Sequence, residues 1–478
     1  MNRGPRYLWG DLLAAEMVMA HGDVPDPVQQ LYAAAYRVLA ADPAATFADL
    51  ARDDAFRAHF PTTRGALLGG PMLGVLAPDG FRVWVRTLEP ADVAVEVSGA
   101  AGKRTFGPVR STDESDLTAV VAVSGLTPDT RYAYRILVDG RPVDLRRETT
   151  VRTAPDPHAR GLWRIAFGAD THRRGLAHHP INAQIAAREP LALLLLGDIA
   201  VSDRFNHRGF HRADYFLRDL LPAWQGLAAR VPTYATWDDH DYLDNDVGGQ
   251  PPGVTRAQLD EIWQVFRHAW NNPQYGFPKS RRGVFFRTRI GSADVIMVDN
   301  KSFREGDGAD KPSQLLGPAQ MRWLEEQLLA CSGPFIMLSC GTMWTDHVST
   351  GKDSWGRFAP EDWERLFRFI ERNRIGGVLL LSGDRHGACG YRIPRSPSFS
   401  LYEFGCGALG GIKGKQAPSG SAPDAGGLLL YSYGDGYAFG EFTFDTTPAD
   451  PTVTFRLIDD QGKIQHVTTL ARSELTPR

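Results

Sequence analysis

Six short apolar runs lie in the later two thirds of this chain, and each leads into a polar residue. Runs of this length are typical of buried strands in parallel sheets. Amphipathic stretches between some of them, at 258–270, 318–329 and 360–372, indicate helices. Alternating strands and helices predict βαβ units and a sheet that is covered on both faces. The six runs span residues 163–169, 191–196, 231–236, 294–298, 334–339 and 377–381.

The first part of the chain follows other patterns. Residues 8–60 are rich in Ala and Leu at helical spacing, with interruptions at prolines 25, 27 and 43. Residues 80–86, 93–97 and 119–123 follow a period of two instead, which predicts strands. A helical segment is therefore expected to precede an all-β region.

The segment 125–136 carries a Leu-x-Pro-x-Thr-x-Tyr spacing that ends at Tyr132. This spacing resembles the tyrosine corner of fibronectin type III sandwiches, and the resemblance makes Trp84 the buried tryptophan of that core. We therefore expect a helical segment at 1–65, a fibronectin III-like β-sandwich at 66–155 and an α/β domain at 160–478.

Composition and charge exclude several classes of function. The 478 residues suggest two or three domains, and 43% hydrophobic with 23% charged residues is typical of a globular protein. The formal net charge of -3 does not favour a nucleic-acid binder. The apolar runs are too short to span a bilayer. The four cysteines have no CxxC spacing, and most are expected to be buried free thiols.

The first residues contain neither the apolar region of a signal peptide nor a twin arginine. We therefore expect a cytoplasmic protein, with export possible only if a leader is missing from the sequence as given. The sequence leaves the oligomeric state open.

The residues that follow the runs are metal-binding types. Because ligands gather beyond the carboxyl ends of parallel strands, these side chains are expected to converge. Each motif alone has an ordinary interpretation as a turn or a solvated acidic loop, but their joint recurrence favours a dinuclear metal site. In an extended exit from a strand, positions i and i+2 point the same way, which would pair Asp170 with His172 and Asp384 with His386. Asp198 is the natural bridge, and Asp239 with His240 follows the third run.

The order of these motifs resembles the calcineurin-like metallophosphoesterases, and more closely the PhoD-like alkaline phosphatase/phosphodiesterase family. The motifs that carry the resemblance are Trp237 to Asp241 followed by Asn245, the Lys-Asp-Ser-Trp segment at 352–355, and Ser382 to His386. The resemblance implies a four-layer α/β/β/α metallophosphatase domain after the sandwich. It also implies metal ligation by Asp170, Asp198, Asp239, Asp384 and His386, with His240 beside the metals.

The chain departs from this family at two positions. The members that bind an iron–calcium cluster have a cysteine at the position of Asp170 and a tyrosine at that of Val201. Asp170 and His172 together match the Asp-x-His of the broader superfamily, so we expect an ordinary dinuclear site. The expected metal ions are two of Mn, Fe, Zn, Mg or Ca, because carboxylate and imidazole ligands suit these ions better than copper. Cys340 or Thr342 could supply a further ligand.

Roles for the remaining candidates are less constrained by the sequence. His240 is expected to donate a proton to the leaving group, with Asp241 orienting or charging its ring. Lys301 or Arg304 could hold a phosphoryl oxygen or could belong to a basic surface cluster. Asn245 is placed near the site by its motif. Arg204, His207 and His211 could line the cleft or lie on a helix surface, and Trp344 and Trp355 could wall the site or pack in the core.

We conclude from the sequence that the chain is a metal-dependent hydrolase of small-molecule phosphoric esters, with two metal ions. Three alternatives stay open: a phosphotriester or cyclic-nucleotide substrate, a sulfate ester at the same metals, or a catalytically dead adhesion or scaffold protein. A dead domain would be expected to lose its strand-end carboxylates, and all four are present.

Overall fold

The structure is a computed structural model, and it describes residues 26–60, 66–100, 102–306, 313–345, 354–414 and 428–478. The predicted helical segment lies partly outside these ranges. Within them it forms three helices, and the one proline they contain, Pro27, lies in the first turn of the first, where a proline is tolerated. The helices are α1 (Asp26–Ala41), α2 (Phe47–Arg52) and α3 (Asp54–His59).

Two antiparallel sheets follow the helices. They run in the orders β1-β2-β5 and β4-β3-β6-β7, with β8 paired to β6, and apolar side chains of both contribute to one core. The Tyr132 hydroxyl accepts a hydrogen bond from the backbone N–H of Thr127 at 2.9 Å, which is the bond that a tyrosine corner makes. The strands are β1 (Leu67–Ala77), β2 (Gly80–Thr87), β3 (Asp92–Gly99), β4 (Gly102–Arg110), β5 (Thr118–Val123), β6 (Arg131–Val138), β7 (Arg141–Pro142) and β8 (Thr150–Arg152).

The sequence placed Trp84 in the core between these sheets, and this is wrong. Alternation along β2 turns Phe81, Val83 and Val85 into that core, so Trp84 points to the opposite face. There it packs in the cluster formed with the helices, and its indole N–H donates to the backbone oxygen of His268 at 2.9 Å. Trp84 therefore joins the β region to the rest of the chain.

A buried carboxylate attaches the N-terminal helices. Asp116 accepts hydrogen bonds from Arg86 and Arg212 at 3.0–3.2 Å and from the Phe47 backbone N–H at 3.4 Å. Burial alone would raise the pKa of Asp116, but the two guanidinium groups outweigh it and lower the pKa to about 2. The carboxylate thus links three parts of the chain.

The remaining residues form a mixed α/β region in which the six predicted strands are divided between two sheets. One sheet has the order β11-β10-β9-β19-β20-β21 and the other the order β12-β13-β14-β15-β17-β16-β18. Strands β9, β10 and β11 run parallel, as do β13, β14, β15 and β17. The elements are β9 (Leu162–Gly168), α4 (His172–Gly175), α5 (His179–Ala187), β10 (Ala192–Leu195), α6 (Arg208–Leu220), α7 (Pro222–Ala228), β11 (Thr233–Ala235), α8 (Asp239–Tyr242), α9 (Arg256–Ala269), β12 (Phe286–Ile290), β13 (Ala293–Met297), α10 (Gly317–Ala330), β14 (Phe335–Ser339), α11 (Trp355–Phe358), α12 (Pro360–Arg372), β15 (Val378–Ser382), β16 (Ala388–Ser396), β17 (Phe399–Cys406), β18 (Leu428–Tyr433), β19 (Ala438–Asp445), β20 (Thr452–Asp459) and β21 (Ile464–Ala471).

Aromatic side chains fill the space between the two sheets. Phe404 of one sheet lies 5.1 Å from Phe442 and 4.6 Å from Phe455 of the other, measured between ring centroids. Helices α6, α7 and α9 cover the outer face of the first sheet, and α10 and α12 cover that of the second. An isolated parallel bridge between Ala169 and Gly407 joins the two sheets at their carboxyl edges. Among the helices that the structure describes, none has the length and apolar composition needed to cross a membrane.

Candidate metal centre

Carboxylates and imidazoles from four strand ends meet where the two sheets are joined. The described residues contain three groups of donor atoms in which all atoms lie within 4.8 Å of one another. His172 is shared by the first and second of these groups and Asp198 by the second and third, so the three groups form one continuous cluster. The groups are Asp170, His172 and His386; His172, Asp198 and His240; and Asp198, Asp238 and Asp239.

The structure brings the paired residues together by a different geometry from the one expected. Asp170, His172, Asp384 and His386 all have positive φ angles, of 57°, 49°, 72° and 53°. The backbone therefore turns sharply after β9 and β15, and the argument from an extended exit is wrong. Positive φ is uncommon for residues other than glycine, and such conformations concentrate at functional sites. The His172 and His386 rings stack with centroids 5.0 Å apart.

Glycines let the backbone approach these side chains. A Cβ atom on Gly407 would lie 2.0 Å from Asp170 Oδ2, and one on Gly197 would lie 2.6 Å from Asp238 Cβ. Gly197 also has a φ of +111°, which other residues rarely adopt. Both positions therefore require glycine, and Gly407 keeps the space around the Asp170 carboxylate open.

The cluster carries more negative charge than its surroundings compensate. Asp170 is fully buried, and among the described residues no group makes a well-formed hydrogen bond to either of its carboxylate oxygens. Burial, together with the charge of Asp384, raises the pKa of Asp170 to about 8. Burial and the neighbouring charges of Asp239 and Asp238 also raise the pKa of Asp198 well above its ordinary value. Buried carboxylates without donors fit bound cations, which would restore their ionised form.

His240 is oriented by a residue that the sequence did not reveal. Its Nδ1 lies 2.6 Å from Asp203 Oδ1, on the loop between β10 and α6. Burial alone would lower the pKa of His240, but the hydrogen bond to Asp203 and the charges of Asp239 and Asp170 outweigh it and raise the pKa to about 10. No pattern around Asp203 marks it, because the contact depends on how the loop folds back onto α8.

The sequence predicts that Asp241 orients or charges the His240 ring, and the structure corrects the orienting role only, since the charges of the two residues still interact. The Asp241 Oδ2 accepts hydrogen bonds from the backbone N–H groups of Asp198 and Asp238 instead of contacting the ring. Burial raises the pKa of Asp241 to about 7. Asp241 therefore fastens the start of α8 to the end of β10, which places Asp239 beside Asp198.

The three substrate-side candidates take different positions. The Arg304 guanidinium lies over the Phe358 ring, 4.1 Å from its centroid. The Asn245 amide donates to Asp246 Oδ2 at 2.7 Å, while its backbone N–H donates to Asp203 Oδ1 at 3.1 Å. Lys301 is fully buried, with its ammonium 3.0 Å from Asp238 Oδ1. The Lys301 ammonium thus contacts Asp238 in the interior, and the side chain of Asn245 points toward Asp246.

Most of the residues considered for the cleft wall belong to the interior. His207 is half-buried instead, and its Nδ1 accepts a hydrogen bond from the Phe210 backbone N–H at 3.1 Å. Arg204 makes a doubly hydrogen-bonded, fully buried ion pair with Asp214, and the His211 imidazole contacts the Phe205 backbone oxygen at 2.9 Å. The Trp344 and Trp355 rings stack at 4.7 Å in the core. Lys352 and Asp353, which belong to a motif of the resemblance, lie outside the described residues.

Of the two further ligand candidates, only Thr342 lies against the cluster. Its hydroxyl is 3.4 Å from Asp384 Oδ2. The Cys340 thiol instead receives the Trp355 indole N–H at 3.1 Å, and burial raises its pKa above the ordinary value. A thiol held neutral in this way does not suit metal ligation, which requires the thiolate. Three of the four cysteines are buried, and all four are free, as expected.

Comparisons with known proteins identify the family to which the later part of the chain is similar. The family model of the PhoD-like phosphatases matches residues 203–452, and a model described as a domain of unknown function, DUF7800, matches residues 64–155. The chain is 24% identical over 219 residues to alkaline phosphatase D of Bacillus subtilis (strain 168), a match that covers 40% of this chain and 36% of that protein.

Two solved structures share the fold. The structure of PhoD superposes with a TM-score of 0.67 at 17% identity, covering 86% of this chain and 92% of that one. A purple acid phosphatase, PPD1, from yellow lupin (Lupinus luteus) seeds superposes with a TM-score of 0.63 at 12% identity, covering 85% of this chain and 75% of that one.

Proposed function

Because the chain belongs to the PhoD-like phosphatase family, whose model matches more than half of it, we propose that it is a metal-dependent hydrolase of phosphoric esters. The observation that carries the proposal is the cluster of buried carboxylates and imidazoles, in which the Asp170 carboxylate accepts no well-formed hydrogen bond from the described residues. Such a cluster is costly to keep in a fold unless cations compensate its charge.

We propose two metal ions of open identity among Mn, Fe, Zn, Mg and Ca. Metal pairs of this kind neutralise phosphoryl oxygens and supply an activated water. Asp198 is the proposed bridge, because it belongs to two of the three donor groups, one with His172 and His240 and one with Asp238 and Asp239. The proposed ligands are Asp170, His172, Asp198, Asp239, Asp384 and His386.

The proposed proton donor to the leaving group is His240. Asp203 holds its Nδ1, which directs Nε2 away from that carboxylate, and the pairing stabilises the protonated ring. Asp241 then acts as a positioning residue for α8, whereas Asn245 and Arg304 are proposed to border the substrate. The substrate is a small-molecule ester, and the net charge of -3 gives no support for nucleic acid as a stable partner.

The finer fold and the domain limits are part of the same proposal. Two packed sheets with helices on both outer faces support a four-layer α/β/β/α domain at 160–478. The tyrosine-corner bond and the two antiparallel sheets support a fibronectin III-like sandwich at 66–155, after a helical segment at 1–65.

Metal analysis and an ester panel test the function. We expect about two metal ions per chain, and chelation should abolish hydrolysis of aryl phosphate esters until metal is restored. The panel compares aryl mono-, di- and triesters of phosphate with an aryl sulfate, each with added Mn²⁺, Zn²⁺, Fe²⁺ or Ca²⁺. Preferential sulfate hydrolysis would replace the proposed substrate class. Protein without metal and without activity after reconstitution would favour the scaffold alternative.

A further inference from the structure

Asp238 lies at the point where strand ends of both sheets meet. It follows β11, and its side chain packs against glycines that follow β10 in one sheet and β14 in the other. A Cβ atom on Gly197 would lie 2.6 Å from Asp238 Cβ, and one on Gly341 would lie 2.7 Å from Asp238 Oδ1. The Asn300 amide, after β13, donates to the same oxygen at 2.8 Å. Asp238 therefore contacts three other strand ends at once.

Lys301 supplies the charge that opposes Asp238. Its ammonium lies 3.0 Å from Asp238 Oδ1 and 3.9 Å from Asp239 Oδ1, and the side chain is fully buried. Removing one partner of a buried ion pair is strongly destabilising, because the other charge stays buried without compensation. A buried ammonium that faces two carboxylates is also poorly placed to meet a substrate that enters from solvent.

We propose that Asp238 and Lys301 form a buried ion pair that positions the Asp239–His240 segment, and that Asp238 is not a metal ligand although it lies within reach of the cluster. Asp238 Oδ1 already receives two donors, Lys301 and Asn300, so only Oδ2 could bind an ion directly. The pair holds the start of α8 from one side, and Asp241 holds the same segment through its bonds to backbone N–H groups. Asp239 and His240 are left to face the cluster.

A double-mutant cycle on the metal-free protein tests the ion pair without reference to any activity. The variants are Asp238→Asn, Lys301→Met and the double variant, with the exposed Lys279→Met as control. Lys301→Met removes the cation that opposes Asp238, and Asp238→Asn leaves the Lys301 ammonium facing Asp239 at the longer distance of 3.9 Å, so the melting temperature of the double variant should lie above those of both single variants. A double variant that is no more stable than the less stable single variant, or that fails to fold, overturns the ion pair.

Metal binding tests the second half of the inference, which rests on the proposed function. In equilibrium dialysis with Mn²⁺ alone, the double variant should bind as many ions per chain as the parent at saturation but with weaker affinity, because Asp239 is held less firmly, whereas Asp239→Asn should bind fewer ions. Fewer ions at saturation in the double variant would make Asp238 a ligand, and an unchanged affinity would overturn its positioning role. If the parent itself binds no Mn²⁺, the proposed function fails, and the melting cycle still decides whether the ion pair exists.

Discussion

Replacing Asp203 with Asn tests whether His240 donates a proton to the leaving group. The substitution keeps the size of the side chain and an oxygen that can accept from Nδ1, which lies 2.6 Å from Asp203 Oδ1. It removes only the negative charge. The ring would stay in place, while the stabilisation of its protonated form would be lost.

The size of the effect follows from the charges around the ring. Asp203, Asp239 and Asp170 together raise the pKa of His240 to about 10. Metal ions bound at Asp170 and Asp239 would cancel what these two carboxylates add to the pKa of His240. Asp203 would then be the charge that keeps the ring protonated. A close opposite charge shifts a pKa by about 1–3 units, and the 36% exposure of the Asp203 side chain favours the lower end. The pKa of His240 should therefore fall by about one unit.

The assay compares leaving groups across pH. For an alkyl phosphate, the alkaline limb of kcat/KM in Asp203→Asn should move about one unit to lower pH, and above both pKa values the rate should fall about 10-fold. For 4-nitrophenyl phosphate, whose leaving group needs no proton, the change should stay within about 3-fold. Asp460→Asn is the matched control, since Asp460 pairs with His178 at 3.0 Å outside the cluster.

Two results would refute the reasoning. Equal slowing of both esters would mean that Asp203 acts on metal or substrate binding rather than on proton donation. Loss of metal from the variant would mean that His240 is a ligand, an arrangement compatible with its place among the donor groups. The variant His240→Ala separates the two roles further, because a proton donor can be lost with the metal content nearly unchanged.

Three further predictions concern the cluster and the fold. Asp198→Ala should lower both metal occupancy and turnover, measured by metal analysis and ester hydrolysis, because a bridging carboxylate serves both ions. Gly407→Ala should also lose metal, since its Cβ would lie 2.0 Å from Asp170 Oδ2, whereas Gly226→Ala, with nothing within 4 Å, should behave like the parent. Asp116→Asn should lower the free energy of unfolding by about 2 kcal/mol at pH 7, because the pKa of Asp116 in the folded protein, about 2, lies below its ordinary value of 3.8. That contribution is complete above about pH 4 and is lost as pH falls toward 2, so the difference in urea unfolding between parent and variant should shrink on acidification.

The sequence predicts much of this fold because hydrophobic periodicity is local. The helix predicted at 258–270 is Arg256–Ala269 in the structure, and the one at 360–372 is Pro360–Arg372. The strand ends could likewise be predicted to converge, because parallel strands present their carboxyl ends at one edge. Local patterns do not tell which sheet a strand joins. That β19 pairs with β9 across nearly 280 residues depends on long-range packing, which the sequence alone leaves open.

The sequence did not reveal Asp203 and did not predict the buried position of Lys301, and the physical cause is the same for both. Asp203 and Lys301 act through contacts that loops make after the strands have assembled, and neither has a spacing that marks its partner. Trp84 shows that local patterns are also limited in the β region. Alternation predicts that Trp84 and Val83 lie on opposite faces of β2, but it does not predict which face packs against the core between the two sheets. Arg204, a candidate for the cleft wall, likewise belongs to a buried ion pair with Asp214 that no local spacing marks.

Charge counting connects the proposed metals to an anionic substrate. The pairs Asp238–Lys301 and Asp203–His240 each balance internally when the imidazole is protonated. The four proposed carboxylate ligands carry a formal charge of -4 when ionised, and two divalent ions would balance them. The Arg385 guanidinium, 3.2 Å from Asp384 Oδ2, then offsets the buried Asp241 carboxylate, so that the loaded centre would be close to neutral. The same carboxylates without metal would repel a phosphate ester, so chelation should abolish substrate binding as well as turnover.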